Sequence, residues 1–89
     1  MVNEPKIWPT PHLIRAARAL AGINQATLAK AAKVAQKTVA KIETDENDRM
    51  DPRRLTVLQE LQRVLEDAYG IEFFAASENS GEGVRFRKK

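Results

Sequence analysis

Between Gln25 and Glu43 the chain sets out a small chemical kit at helical spacing. Gln36, Lys37, Thr38 and Lys41 supply an amide, a hydroxyl and two ammonium groups within one and a half turns. Apolar residues recur around them at Leu28, Ala32, Val34, Val39 and Ile42, so a packed face and a polar face alternate. Ala29 is small enough for two short helices to cross closely there. The pattern reads as a helix-turn-helix. Its second helix points donors and cations away from the packing face, as a helix lying in a DNA major groove requires. Double-stranded DNA is the partner this arrangement predicts.

These residues need a frame, and the flanking sequence predicts one. Thr10 followed by Pro11 is a helix start. Leu13, Ile14, Ala17, Leu20 and Ala21 continue it on one face, with Arg15 and Arg18 on the outer side. Gly22 ends this first helix. Asn24 caps a second, running to about Ala32, and a third spans Gln36 to about Thr44. The polar segment from Asp45 to Met50 is a loop, and Asp51-Pro52 repeats the cap-and-proline start. A fourth helix runs from about Pro52 to Tyr69. Leu55, Leu58, Leu61 and Leu65 form its stripe, widened by Val57, Val64 and Ala68. Gly70 ends it, and the period changes to two. Ile71 to Ala75 and Val84 to Arg87 read as strands joined by a glycine-containing turn. The chain therefore divides into an arm (1–9), a helical domain (10–69) and a β-hairpin extension (70–89). Trp8, the single tryptophan, is expected to pack over the first helix.

Composition narrows the function classes. Eighty-nine residues make one small domain. There is no cysteine and one histidine, His12, so neither a disulfide framework nor a metal site is expected. No cofactor is expected either. No Ser/His/Asp set and no phosphate-binding glycine loop is present, which argues against an enzyme. No apolar run approaches a membrane span, and a cytoplasmic location is the economical expectation. Charge is uneven. Residues 1–44 hold seven Lys/Arg against two Asp/Glu, and residues 45–89 hold eight against ten. The cationic surplus therefore travels with the helix-turn-helix, where phosphate would be met.

The stretch from Gln25 to Glu43, with the helix before it, resembles the Xre/Cro-type helix-turn-helix repressors of lambda-repressor-like fold. Gln25, Leu28-Ala29, Val34, Thr38-Val39 and Ile42-Glu43 fall where that family places its signature residues. The likeness covers roughly residues 10 to 69. It implies a mainly α fold, a four-helix lambda-repressor-like domain, here followed by a short antiparallel hairpin. It also implies roles. Gln36 and Lys37 at the start of the recognition helix would reach base edges, and Lys41 a base or a phosphate. Gln pairs with adenine N6 and N7, and Lys donates to guanine O6 and N7. Gln25 would sit on a phosphate, Thr38 on a phosphate or thymine methyl, and Arg18 and Lys30 are further phosphate candidates. The chain departs from the family at three places. Lys33 stands where glycine is usual, Ala35 stands where Ser or Thr is usual, and Asp45, Glu46 and Asp48 put acid into a loop that approaches DNA in the family.

A regulator of this kind, most simply a repressor, would bind a palindromic operator as a homodimer with its third helix in the major groove. Dimer contacts would come from Leu61 of the fourth helix and from Phe73, Phe74, Val84 and Phe86 of the hairpin. The competing expectation is a protein-binding module on the same fold, an antitoxin or antiactivator. It would engage a protein partner through the fourth helix and the hairpin.

Overall fold

A computed structural model describes residues 8–44 and 52–88. The arm before Trp8, the acidic loop with Asp45, Glu46 and Asp48, and the expected cap Asp51 lie outside the described residues. Four helices precede a two-stranded antiparallel sheet: α1 (Pro11–Ala21), α2 (Gln25–Ala32), α3 (Gln36–Thr44), α4 (Pro52–Tyr69), β1 (Ile71–Phe74) and β2 (Gly83–Phe86). Among the described residues no helix is long and apolar enough to cross a membrane.

Local chemistry sets most of the boundaries. The Thr10 hydroxyl accepts from the Leu13 amide at 3.4 Å, and Pro11 takes the first turn, where its missing N–H costs nothing. Asn24 caps α2 by accepting from the Thr27 amide at 2.8 Å. Gly22 closes α1 in the left-handed region, at φ 75°. Its amide returns to Ala19 O and that of Ile23 to Arg18 O, which satisfies two carbonyls at the helix end. The same pair of bonds closes α2, from Lys33 to Lys30 O and from Val34 to Ala29 O. Here the left-handed residue is Lys33 (φ 60°, ψ 40°), among the described residues the one non-glycine with positive φ. Helix α3 starts without a side-chain cap. Ala35 has no oxygen to offer, and its carbonyl alone accepts from Thr38 and Val39.

The core joins every element. Ile14 and Ala17 of α1 meet Leu28, Ala29 and Ala32 of α2, Val39 and Ile42 of α3, and Leu58, Leu61, Val64 and Leu65 of α4. Ala29 is buried in it, as the close crossing of α2 and α3 demands. Two expectations from periodicity are corrected. The period puts Leu20 on the core face of α1, yet it is 39% exposed. Leu61 was a dimer-interface candidate, yet it is 0% exposed inside its own chain and has no surface to give a partner. The centre of the α4 stripe, Leu58, Leu61, Val64 and Leu65, is covered by three elements of the same molecule, α1, α2 and β1, while Ala68 at its end stays exposed.

The hairpin pairs Ile71 with Phe86, Glu72 with Arg85, Phe73 with Val84 and Phe74 with Gly83. β1 ends one residue earlier than expected, at Phe74, and β2 lies one residue earlier, from Gly83 to Phe86. Alternation puts Ile71, Phe73, Val84 and Phe86 on one face and Glu72, Phe74, Gly83 and Arg85 on the other. Ile71 is fully buried, with Phe73 and Val84 packed at the core margin. These two interface candidates are thereby used largely within the chain. The sheet rests on α1 as well as on α4. A marginal hairpin thus gains its support inside one molecule. On the other face the Arg85 guanidinium lies 4.5 Å from the Phe74 ring centre and binds Glu72 at 2.7 Å. The Phe74 ring covers Gly83 so closely that a Cβ there would sit 2.7 Å from a ring carbon. The turn is tied back to α1. Glu82 accepts from Thr10 at 3.4 Å and contacts His12 Nε2 at 3.3 Å.

Candidate nucleic-acid interface

Helix α3 has two faces of opposite character. Val39, Ile42 and Glu43 are buried against α1 and α2. Gln36, Lys37 and Lys41 are exposed, and Thr38 is half-buried at the margin. Lys30 is exposed near the end of α2. One helix face thus carries the two ammonium groups and the amide expected to read bases. A helix is about 10–12 Å across with its side chains, which a major groove about 12 Å wide admits. Lys33 lies at the turn between α2 and α3 and is also exposed.

The acidic residue Glu43 is buried, at 4% exposure, and sequence reasoning gave it no role beyond the family signature. It sits four residues after Val39 and one after Ile42, so helical geometry carries it inward with them. Its partners come from both neighbouring helices. Arg18 Nε donates to Oε2 at 2.7 Å and Arg18 Nη2 to Oε1 at 2.9 Å, a fork matched to the carboxylate. Gln25 Nε2 donates to Oε1 at 3.0 Å. Arg15 Nη1 reaches the Glu43 carbonyl at 3.5 Å, and Arg18 Nη1 donates to Ile23 O at 3.1 Å. Burial pushes the Glu43 carboxyl up. The hydrogen bonds from Arg18 and Gln25 and the charges of Arg18 and Arg15 outweigh it and hold the group below its ordinary value. The hydrogen bond to Glu43 raises Arg18 above its ordinary value against a smaller desolvation effect.

This cluster alters two of the expected phosphate contacts. Helical spacing puts Arg18 on the outer side of α1. Instead its guanidinium turns inward and is occupied by Glu43 and Ile23 O, with 20% of the side chain exposed. Gln25 is half-buried and spends an amide hydrogen on Glu43. The signal for this lay in the pattern itself. A carboxylate on the buried face of α3 has to find a cation, and Arg18 directly follows the core residue Ala17.

The arrangement of α1 to α4 and the match of a family of known proteins coincide. The model of the helix-turn-helix family matches residues 14–66, well over half of the chain. The chain belongs to the helix-turn-helix family, in its Xre/Cro, lambda-repressor-like branch. No curated protein matches it significantly along its sequence. As a helix-turn-helix regulator it is a DNA-binding protein. The matched span begins within α1 and ends within α4, so it takes in the Arg18–Glu43 cluster and the exposed face of α3. The hairpin lies beyond it.

Proposed function

We propose that this helix-turn-helix protein is a sequence-specific repressor that binds a palindromic operator as a homodimer, with α3 in the major groove. The observation that carries the reading is the division of α3. Gln36, Lys37 and Lys41 are exposed on one face, while Val39, Ile42 and Glu43 fix the other. Gln36 and Lys37 stand in the first turn, where a recognition helix meets base edges, and Lys41 follows one turn on. Thr38 and Lys30 flank that face and supply phosphate contacts. The amide of Gln25 has a second hydrogen beyond the one held by Glu43, and that hydrogen serves a phosphate. A single α3 covers only a few base pairs. Two-fold pairing extends the site to half-sites about 10 bp apart, centre to centre, or a multiple of that. The reading places the protein in the cytoplasm, where the DNA is.

The test is selection from random duplexes at two salt concentrations. An enriched palindrome, bound more weakly at high salt, supports a dimeric reader of phosphates and bases. A folded protein that enriches no motif refutes the reading. The antitoxin or antiactivator alternative loses much of its expected surface on α4, because Leu58, Leu61, Val64 and Leu65 are buried in the chain's own core. What remains to it is the hairpin.

A further inference from the structure

The outer edge of β2 has a bonding pattern of its own. Arg87 N–H donates to Gly70 O at 2.7 Å, one step beyond the Ile71–Phe86 pair. Antiparallel ladders alternate bonded and non-bonded pairs. Gly70–Arg87, Glu72–Arg85 and Phe74–Gly83 are therefore the bonded ones. Val84 and Phe86 turn their N–H and C=O groups away from β1, toward the free edge. Neither has a backbone partner there among the described residues. The matching edge of β1 is led by Ile71, which is fully buried, whereas Phe86 on β2 is 56% exposed.

We propose that two copies join through this edge, β2 against β2 in antiparallel fashion, giving one continuous four-stranded sheet centred on Arg85. The proposal rests on the homodimer reading above and specifies its interface. Bonding parity restricts the register, because the outward residues Val84 and Phe86 must face outward residues of the second copy. The register centred on Arg85 sets Val84 opposite Phe86 of the second copy, and Glu82 opposite Lys88 of the second copy. It thus joins apolar to apolar and acid to base along both halves. A shift by two residues in either direction sets Phe86 against Glu82, or Val84 against Lys88. Arg85 meets its counterpart on the axis, and each guanidinium is already neutralised by its own Glu72 at 2.7 Å. Pairing removes an exposed strand edge that would otherwise template other chains.

The chain contains no cysteine, so a single introduced thiol reports this axis directly. Opposed residues of a non-bonded pair have Cα atoms about 4.5 Å apart, within the span of a disulfide. Under mild oxidation Arg85→Cys should give a covalent dimer rapidly, and Ser77→Cys, on the turn, should not. Phe86→Pro deletes an outward N–H while sparing the β1 ladder, and it should reduce the solution mass from two chains to one with the helical spectrum intact. Equal crosslinking of Arg85→Cys and Ser77→Cys, or an unchanged dimer mass for Phe86→Pro, would overturn the proposal. A dimer that crosslinks at Arg85→Cys but selects no DNA would refute the operator reading and leave this interface standing. A dimer that binds a palindrome without that crosslink would do the reverse.

Discussion

Replacing Glu43 by alanine tests whether one buried carboxylate fixes the setting of α3. The side chain is 1% exposed and that of Arg18 20%. Truncation removes two hydrogen bonds from Arg18 and one from Gln25. Breaking a buried ion pair from one side costs about 3–5 kcal/mol, because the remaining charge is stranded. Arg18 keeps its bond to Ile23 O and some contact with water, which sets the loss at the lower end, about 3 kcal/mol. A domain of this size has roughly 5–10 kcal/mol in total, so the loss is a large part of it. With a urea slope of about 1 kcal/mol per molar, the unfolding midpoint should fall by about 3 M. The paired replacement Arg18→Met with Glu43→Leu removes both charges and should recover most of the stability.

The pH dependence gives a second reading of the same cluster. Glu43 titrates lower in the folded chain than in the unfolded one. Between those two values the unfolded state binds more protons, so stability rises with pH. The contribution is fully present above the ordinary carboxylate value and is lost as pH falls through the lower folded value. The gap between the parent and Glu43→Ala should therefore be constant near neutrality and narrow in acid. A loss below about 1 kcal/mol at pH 7 would show that the pair behaves like a surface ion pair and refute the argument from burial. A gap unchanged down to strong acid would refute the electrostatic part alone.

The other predictions concern the turn, the hairpin and the groove face. Lys33→Gly should raise stability by about 1 kcal/mol in thermal melts, since the residue sits at φ 60°; Lys33→Ala should give no such gain. Ala35→Ser supplies the missing cap of α3 and should add about 1 kcal/mol, seen as a raised urea midpoint. Gly83→Val must displace the Phe74 ring and should cost about 1–3 kcal/mol, with loss of amide-exchange protection in β1 and β2 but not in α4. Gln36→Ala and Lys37→Ala should each lose about 1–3 kcal/mol on the selected site and little on random duplex. Lys30→Ala should weaken both alike and reduce the salt slope by about one.

Helix positions were legible because their causes are local. Thr10 with Pro11, Asn24, Gly22 and Gly70 mark starts and stops through their own backbone chemistry, and each is found in that role. The left-handed turn at Lys33 could be placed from the family's glycine at that position, and its closing bonds follow from the turn alone. The exposure of Gln36, Lys37 and Lys41 followed from the spacing of Val39 and Ile42. Legibility failed where a residue's surroundings come from distant chain. Leu20 fits the α1 stripe by period, but among the described residues Ala21 packs on the core at that end of the helix while Leu20 stays 39% exposed. Leu61 looked available because α4 was weighed against one partner helix, while the fold wraps its stripe with α1, α2 and β1. Arg18 looked outward because helical angle alone cannot show that a carboxylate twenty-five residues later turns in to meet it.

That cluster also explains why cations near the proposed reading face need not all be readers. A guanidinium bound in a fork to a buried carboxylate would have to abandon about 3 kcal/mol of structure to reach a phosphate, more than a typical single contact returns. In the proposed DNA reading Arg18 therefore acts through geometry. It ties the end of α3 to α1, and Gln25 ties the same carboxylate to the start of α2. Both helices of the motif are thereby referenced to one charged group behind the face that carries Gln36, Lys37 and Lys41. A hydrophobic replacement could match the stability of this arrangement, but it would lack the directional bonds that set the angle of α3. The double variant Arg18→Met with Glu43→Leu separates the two contributions. It should unfold near the parent midpoint yet bind the selected duplex more weakly. Parent-level affinity in that variant would mean that packing of Val39 and Ile42 alone orients the helix.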